Sequence, residues 1–146
     1  MTTNPVILLA EDNEEDIAIV QKAFACLRLN YTLKTVRDGE ETISYLNGEG
    51  AFTDRTDHPF PAMLILDLNM PRKTGWEVLD FFRSQKINQH LFVAILTSFS
   101  QQEPSRDMFE FHGQVCIWNW HLLKPVTTEA IDMLVSFFER WKATKK

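Results

Sequence analysis

Ala62-Met-Leu-Ile-Leu-Asp67 is a short apolar run that ends on a carboxylate, and it is the clearest indication of the fold. A run too short for a helix that stops abruptly at a polar residue is typical of a strand buried on both faces of a parallel sheet. The same pattern occurs twice more, in Pro5-Val-Ile-Leu-Leu-Ala10 before Glu11-Asp12-Asn13, and in Leu91-Phe-Val-Ala-Ile-Leu-Thr97, which ends on a hydroxyl. The sequence therefore predicts a core of buried parallel strands.

Segments with helical periodicity separate these strands. After Asn13, a plausible N-cap, apolar residues recur at three- and four-residue steps (Ile17, Val20, Phe24, Leu27). The remaining predicted strands are Tyr31–Val36 and Cys116–Leu123. Three further helices are predicted at Glu40–Leu46, at Gln102–Phe111 and at Thr127–Lys142, the last with Thr127 or Thr128 as its cap. Another helix is predicted to follow a turn framed by Pro71 and Gly75. Alternation of this kind predicts an α/β fold, a doubly wound five-stranded parallel sheet with helices on both faces.

Length and composition limit the class of protein. At 146 residues the chain has room for one domain, so residues 1–146 are predicted to form a single domain with no output domain. The net charge of −5 disfavours nucleic acid as a direct partner, because phosphate binding needs clustered Lys and Arg. No apolar run reaches the roughly 18 residues of a membrane span, and Met1–Pro5 lacks the basic stretch of a secretory signal. The predicted location is the cytoplasm.

The cysteines and histidines indicate neither a disulfide framework nor a zinc site. Cys26 and Cys116 each lie in an apolar stretch, so both are predicted to be buried, reduced thiols. The four histidines are scattered without the spacing of metal ligands: His58, His90, His112 and His121. The chemistry of this chain is therefore expected elsewhere.

Polar residues stand at the carboxyl ends of the predicted strands. They are Glu11 and Asp12 after the first, Asp67 at the third, Thr97 at the fourth and Lys124 after the fifth. Because parallel strands share one carboxyl edge, where ligands bind, these side chains should converge on one cleft. Three carboxylates repel one another unless a cation lies among them, and hard oxygen ligands suit Mg2+. A metal, a lysine, a hydroxyl and a free carboxylate oxygen are what phosphoryl transfer requires.

With these residues in place, the chain resembles a response-regulator receiver domain over essentially its whole length. The resemblance rests on four segments in order: Leu8-Leu-Ala-Glu-Asp12, Leu64-Ile-Leu-Asp-Leu-Asn-Met-Pro71 followed by Gly75, Ile95-Leu-Thr-Ser98 and Leu122-Leu-Lys-Pro125. It implies a flavodoxin-like (βα)5 sheet of strand order 2-1-3-4-5. It also implies a switch in two-component phosphorelay signalling, which catalyses only its own phosphorylation and dephosphorylation.

The resemblance further implies a role for each acidic residue and a phosphoryl donor. Asp67 would be the phosphoacceptor, and Mg2+ would be held by Asp67 together with Glu11, Asp12 and the backbone carbonyl of Asn69. The donor would be a sensor histidine kinase. The loop 47–61 and the residues after Asp67 are most similar to stand-alone receivers that pair with bacterial phytochrome-type kinases.

The other implied roles concern the phosphoryl oxygens and the switch. Thr97 and Lys124 would bind the phosphoryl oxygens, and Pro125 would follow a cis peptide bond. Receivers commonly place Tyr or Phe three residues before the lysine, where this chain has His121. Either the imidazole moves with Thr97, or the strand is shifted by one residue and Trp120 takes that role, or His121 is merely structural. The stretch between Thr97 and Lys124 is also longer and more aromatic than usual.

Other interpretations remain open from the sequence. Taken singly, the carboxylates could be helix caps and Lys124 a surface lysine, but all the site residues would then have to converge by coincidence. A phosphatase of the haloacid-dehalogenase type uses the same groups, yet it needs a second Asp two residues after the nucleophile, where this chain has Asn69. A degenerate receiver that acts as a phosphorylation-independent scaffold is a further alternative.

The last predicted helix carries more apolar surface than packing on a sheet requires. Its inner stripe is Ile131, Leu134, Phe138 and Trp141, and Met133 and Phe137 widen that face. The predicted fifth strand adds Trp118 and Trp120. Exposed aromatic surface of this size usually marks an interface. A homodimer through the side formed by the fourth helix, the fifth strand and the last helix is therefore predicted, alongside a separate downstream protein that the sequence does not name.

Overall fold

A computed structural model describes residues 4–70, 72–85, 91–98 and 119–144 of the chain. The strands are β1 (Val6–Ala10), β2 (Thr32–Val36), β3 (Met63–Asp67), β4 (Phe92–Ser98) and β5 (Trp120–Lys124). The α-helices in the described ranges are α1 (Glu14–Leu27), α2 (Gly39–Asn47), α3 (Gly75–Gln85) and α4 (Thr128–Thr144). A short 3-10 turn, Gly50–Phe52, follows α2 within the predicted surface loop.

The five strands form one parallel sheet of order β2-β1-β3-β4-β5, as predicted. Strands β1 and β3 occupy its centre, and every residue of both is buried. This burial explains why their sequences are continuous apolar runs rather than alternating patterns. The arrangement places the ends of β1 and β3 side by side, with β4 and β5 following on one flank.

Helices cover both faces of the sheet, and each face has its own apolar core. One core joins alternate strand residues such as Ile7 and Leu9 to α1 and α4. The other core joins the intervening residues, such as Leu8 and Leu64, to α2 and α3. The alternation follows from the period of two along a strand. A doubly wound α/β fold is the result.

Helix starts follow the capping rules of the sequence. The side chain of Asn13 accepts a hydrogen bond from the Asp16 N–H at 3.0 Å, as its predicted N-cap role requires. At the last helix, Thr127 Oγ1 accepts from the Ala130 N–H at 3.0 Å, so Thr127 rather than Thr128 is the cap.

The final strand differs from its predicted bounds. Strand β5 begins at Trp120, and Asn119 before it binds the neighbouring strand, because its N–H donates to the Val93 carbonyl at 2.7 Å and its side-chain oxygen accepts from the Val93 N–H at 2.8 Å. Lys124 belongs to the strand instead of following it. The peptide bond between Lys124 and Pro125 is cis, as the resemblance implied.

One prediction about the cysteines is wrong. Cys26 is exposed, not buried. It lies nine residues after Ile17, which is half a turn out of phase, so the helical period turns it away from the core even though its sequence neighbours are apolar. The expectations for Cys116, for the turn at Pro71, for the helix at Gln102–Phe111 and for the aromatic residues between 99 and 118 lie outside the described residues. In the described ranges, no helix has the length and apolarity to cross a membrane.

Candidate functional site

Three predicted acidic residues meet at the carboxyl edge of the sheet. Glu11 and Asp12 follow β1, and Asp67 ends β3. One ligand oxygen from each lies within 4.8 Å of the others, the only such group of His, Cys, Asp or Glu found among the described residues. Glu11 and Asp67 are buried, whereas Asp12 is exposed. The cluster is therefore open to solvent on the side of Asp12.

The backbone and a lysine orient the carboxylate of Glu11. Its Oε1 accepts hydrogen bonds from the backbone N–H groups of Asp12 at 3.2 Å and Asn13 at 3.1 Å. Its Oε2 is buried and makes only a charge contact, 2.7 Å from Lys124 Nζ, without regular hydrogen-bond geometry. Burial raises the pKa of Glu11 to about 7, although Lys124 acts in the opposite direction, and the charge of Asp67 adds to the rise.

Lys124 lies at the centre of the negative charge. Its Nζ is 2.7 Å from Glu11 Oε2, 3.1 Å from Asp67 Oδ2 and 3.1 Å from Asp16 Oδ2. Burial alone would lower the pKa of Lys124, but the nearby carboxylates of Glu11 and Asp67 outweigh it and raise that pKa above its usual value. The ammonium group is therefore charged at any physiological pH.

Asp67 is held by both of its oxygens. Oδ1 accepts from the Asn69 N–H at 3.0 Å, and Oδ2 accepts from Lys124 Nζ. The first residue of α3, Gly75, lies directly against this strand end, and its N–H donates to the Leu68 carbonyl at 3.2 Å. A Cβ at Gly75 would come within 2.5 Å of the Asp67 carbonyl oxygen, so only glycine fits here without a shift.

Thr97 lies at the same edge and has a different partner. It is buried on β4, beside Leu96, the register partner of Asp67. Its Oγ1 is 2.7 Å from His121 Nε2 on β5. Trp120 packs instead against Phe137 of α4, with ring centroids 4.7 Å apart. The structure therefore places His121, and not Trp120, next to the hydroxyl.

The structure brings the predicted residues together and adds one that was missed. Glu11, Asp12, Asp67 and Lys124 form one cluster, with Thr97 beside it on the neighbouring strand. Asp16 was not predicted. It is the third acidic residue in the run Glu14-Glu15-Asp16, and only the direction of the helix distinguishes it from the two before it. A helical projection from the capped end at Asn13 was the one sequence signal that could have singled it out.

The donor set fits a hard divalent cation. Three carboxylates face one another, and the buried Oε2 of Glu11 lacks a regular hydrogen bond. The raised pKa of Glu11 reflects burial and the neighbouring charge of Asp67. A cation placed among these oxygens would relieve the repulsion and compensate the desolvation, and carboxylate oxygens are the ligands that such cations prefer.

Comparison with known proteins agrees with this geometry. Residues 7–135 match the family model of the response regulator receiver domain. The chain belongs to this family. It is thus a receiver of two-component signalling, a phosphoacceptor switch that takes its phosphoryl group from a histidine kinase. Receivers bind a divalent metal, in keeping with the acidic cluster of Glu11, Asp12 and Asp67.

The similar proteins are response regulators, and some of them belong to phytochrome or red light signaling. Response regulator Rcp1 of Synechocystis sp. is 30% identical over 112 residues, which cover 75% of this chain and 74% of Rcp1. A solved Mn2+-bound form of Rcp1 has a TM-score of 0.70 at 27% identity, covering 94% of each chain. Response regulator RPA3017 in red light signaling of R. palustris is 33% identical, with a TM-score of 0.75, covering 94% of this chain and 93% of that one. The phosphorylated cyanobacterial phytochrome response regulator RcpA is 28% identical, with a TM-score of 0.73 and coverage of 97% and 96%.

Proposed function

We propose that Asp67 is the phosphoacceptor of this receiver. The observation that carries the proposal is the setting of its carboxylate, which is 2% exposed, accepts from the Asn69 N–H and from Lys124, and lies against two further carboxylates. A carboxylate oxygen of Asp67 attacks phosphorus as the P–N bond of a phosphohistidine breaks, and the imidazole leaves. The product is an acyl phosphate on Asp67.

We propose that the cation is Mg2+, held by Glu11, Asp12, Asp67 and the backbone carbonyl of Asn69. When bound, Mg2+ would neutralise charge on the transferring phosphoryl group. The chain itself supplies the orientation: backbone N–H groups fix Glu11 Oε1 and Asp67 Oδ1, so each carboxylate presents its other oxygen to the cleft. Lys124 lies beside both of those oxygens and can reach a phosphoryl oxygen with little movement.

We propose that Thr97 and His121 form the switch that senses the phosphoryl group. The Thr97 hydroxyl is 2.7 Å from His121 Nε2 in this structure. To bind a phosphoryl oxygen, the hydroxyl must turn towards Asp67, which weakens its bond to the imidazole. His121 is exposed and can then change position, so one added dianion alters the surface beside β5.

The partner proposals follow from the relatives and from the surface. Because some of the similar proteins are regulators of phytochrome or red light signaling, we propose a phytochrome-type histidine kinase as the phosphoryl donor in the cytoplasm, acting on residues 1–146 as a single receiver domain. We further propose a homodimer through the β5–α4 face, defined here by Trp120, Met133 and Phe137. Met133 is 62% exposed and Phe137 39% exposed, while Trp120 is half-buried next to them.

The test of the phosphoacceptor proposal uses acetyl phosphate with Mg2+ and intact-mass spectrometry. The wild-type protein should gain one phosphoryl group, and Asp67→Asn should gain none, because an amide cannot form an acyl phosphate. Asp57→Asn, an exposed position in the loop before β3, is the matched control and should label like the wild type. A full adduct on Asp67→Asn would overturn the assignment. Catalytic turnover of an unrelated phosphate ester would instead favour the phosphatase alternative.

A further inference from the structure

Lys124 has a partner outside the predicted site. Asp16, in the first turn of α1, places Oδ2 3.1 Å from Lys124 Nζ, and its side chain is 25% exposed. Its backbone N–H is bound to the capping side chain of Asn13, which fixes the position of its Cα at the start of the helix. The three N–H donors of the ammonium group therefore face three carboxylates, those of Glu11, Asp16 and Asp67.

Asp16 differs from the other two partners in one respect. Glu11 and Asp67 also belong to the acidic cluster that fits a cation, and Asp16 does not. A divalent cation bound in that cluster would interact with the carboxylates of Glu11 and Asp67, and it would weaken their attraction for Lys124. Phosphorylation then makes the Asp67 carboxylate part of an acyl phosphate, whose negative charge lies on the phosphoryl oxygens. Of the three carboxylates on Lys124, only Asp16 then engages neither the cation nor the phosphoryl group.

We propose that Asp16 is a positioning residue that holds Lys124 at the phosphoryl group while the cation and the phosphoryl group engage Glu11 and Asp67. The inference rests on the proposed function. Lysine carries a point charge on a flexible stem, and a divalent cation nearby repels it. The side chain of Lys124 is already 16% exposed, so it has a path to solvent that Asp16 opposes.

The sign of the effect separates positioning from a general effect of charge. Removing any negative charge near the cleft should help an incoming anion, because it lowers the repulsion. Loss of a positioning residue should act in the opposite direction. Glu15 is the matched control, because it lies in the same helical turn, carries the same charge and is exposed. Glu14 is unsuitable, since it pairs with Arg37.

The first experiment measures binding of beryllofluoride, a phosphoryl mimic, in the presence of Mg2+. Asp16→Asn should weaken binding by about threefold to fivefold, the factor that a partly exposed ion pair of up to about 1 kcal/mol supplies. Glu15→Gln should leave binding unchanged or tighten it, and Asp16→Glu should restore part of the loss. Equal or tighter binding by Asp16→Asn would overturn the inference.

The second experiment is a double-mutant cycle, because Asp16 is proposed to act only through Lys124. In a Lys124→Ala background, Asp16→Asn should cause no further loss of beryllofluoride affinity. Without metal, the urea midpoints of the same four proteins should be non-additive, which measures the ion pair apart from any phosphoryl chemistry. Additive effects in both measurements would contradict positioning through Lys124.

The outcomes distinguish this inference from the proposed function. If the wild-type protein is phosphorylated on Asp67 while Asp16→Asn and Glu15→Gln behave alike, the phosphoacceptor role stands and the role of Asp16 is refuted. If the wild-type protein takes up neither beryllofluoride nor a phosphoryl group, the phosphoacceptor proposal is refuted, and the inference falls with it.

Discussion

At the scale of single residues, Glu11 is the carboxylate whose negative charge is most disfavoured by its surroundings. It is fully buried, one oxygen is bound to the backbone, and the other faces Lys124 and the cleft. Burial disfavours the ionised form of Glu11, and so does the neighbouring charge of Asp67. Together they raise the pKa of Glu11 to about 7, with burial as the largest cause. A cation bound in the acidic cluster would therefore stabilise the ionised form of Glu11.

This property predicts a dependence of Mg2+ affinity on pH. Protonated Glu11 is a poor ligand, so the affinity should fall by up to about tenfold for each pH unit below its pKa. Titration of the protein with Mg2+ between about pH 5 and about pH 8 measures the effect. Glu11→Gln should bind Mg2+ weakly and lose the pH dependence that Glu11 causes. An affinity of the wild-type protein that stays constant across this range would contradict the role of Glu11.

In the metal-free protein, the same group should affect stability in the opposite direction. The pKa of Glu11 is about 7 in the folded state against a usual value of 4.5, so the folded state binds more protons between these values. The contribution of Glu11 to the free energy of unfolding should therefore increase as the pH falls through this window. Urea unfolding of the wild type and Glu11→Gln at several pH values isolates that contribution as their difference.

His121 permits a second prediction at this scale. His121→Phe keeps a ring but removes the partner of the Thr97 hydroxyl, so that hydroxyl is freer to turn to a phosphoryl oxygen. Beryllofluoride should bind more tightly by up to about fivefold, the value of a typical hydrogen bond of about 1 kcal/mol. His121→Gln, which can still bind the hydroxyl, should resemble the wild type. Weaker binding by His121→Phe would mean that the imidazole assists the phosphorylated state.

Residues whose position depends on a strand end were predictable from the sequence. Asp67 and Lys124 were predictable because parallel strands deliver their last residues to one edge. Asp16 and Cys26 were not, because their environments depend on the direction in which a helix presents them. An acidic run conceals Asp16, and an apolar run wrongly indicates that Cys26 is buried.

At the scale of elements, α3 packs directly against the end of β3, where Asp67 lies. A Cβ at Gly75 would lie 2.5 Å from the Asp67 carbonyl oxygen and 2.6 Å from the Leu68 Cα, and backbone atoms cannot yield cheaply. The start of α3 and the position of Asp67 are therefore coupled through a contact that admits no side chain. Alanine would favour the helix by about 1 kcal/mol, so local propensity and packing predict opposite signs.

We expect packing to dominate in Gly75→Ala. The variant should unfold at a lower urea concentration by roughly 1 to 3 kcal/mol, as overpacked sites usually do, and it should lose affinity for beryllofluoride. Glu77→Ala, at an exposed position in the first turn of the same helix, is the control and should change stability much less. A Gly75→Ala protein more stable than the wild type would show that the contact relaxes freely.

The order and type of the described elements were predictable, whereas some boundaries were not. The apolar runs of β1, β3 and β4 and the stripe of α1 were decisive, since their periods differ clearly. The apolar pattern predicts a start of β5 at Cys116, whereas the strand begins at Trp120, after Asn119, and residues 116–118 lie outside the described ranges. Just before the strand, Asn119 forms hydrogen bonds with the backbone of Val93 through its side chain and its N–H. An apolar pattern does not predict such a contact.

At the scale of the whole molecule, one sheet edge carries the chemistry and one flank carries the exposed apolar surface. Strand β5 contributes Trp120 to the β5–α4 face and also carries His121 and Lys124. A movement of His121 or Lys124 can therefore alter that face directly. If a second copy covers this face, phosphorylation and dimerisation should be linked. A phosphoryl group that strengthens dimerisation should in turn be bound more tightly by the dimer.

The dimer proposal predicts that a charge on the β5–α4 face yields a folded monomer. Met133→Asp is the sharper variant, because Met133 is 62% exposed, while Phe137 also packs against Phe92 with centroids 5.9 Å apart. Sedimentation at tens of micromolar protein, with and without beryllofluoride, should show a dimer for the wild type and a monomer for Met133→Asp and Phe137→Asp. A single monomeric wild-type species in both conditions would contradict the dimer proposal.

Chemical mapping of the phosphorylated residue shows directly whether this receiver accepts its phosphoryl group on Asp67. The protein is treated with acetyl phosphate and Mg2+, the acyl phosphate is reduced with borohydride, and the peptides are sequenced by mass spectrometry. Reduction turns a phosphorylated aspartate into homoserine, so the account predicts homoserine in place of Asp67, unchanged Asp12 and Asp16, and no conversion when EDTA removes the metal. Homoserine in place of Asp12 or Asp16, or an unconverted Asp67 in a protein that binds Mg2+, would contradict it.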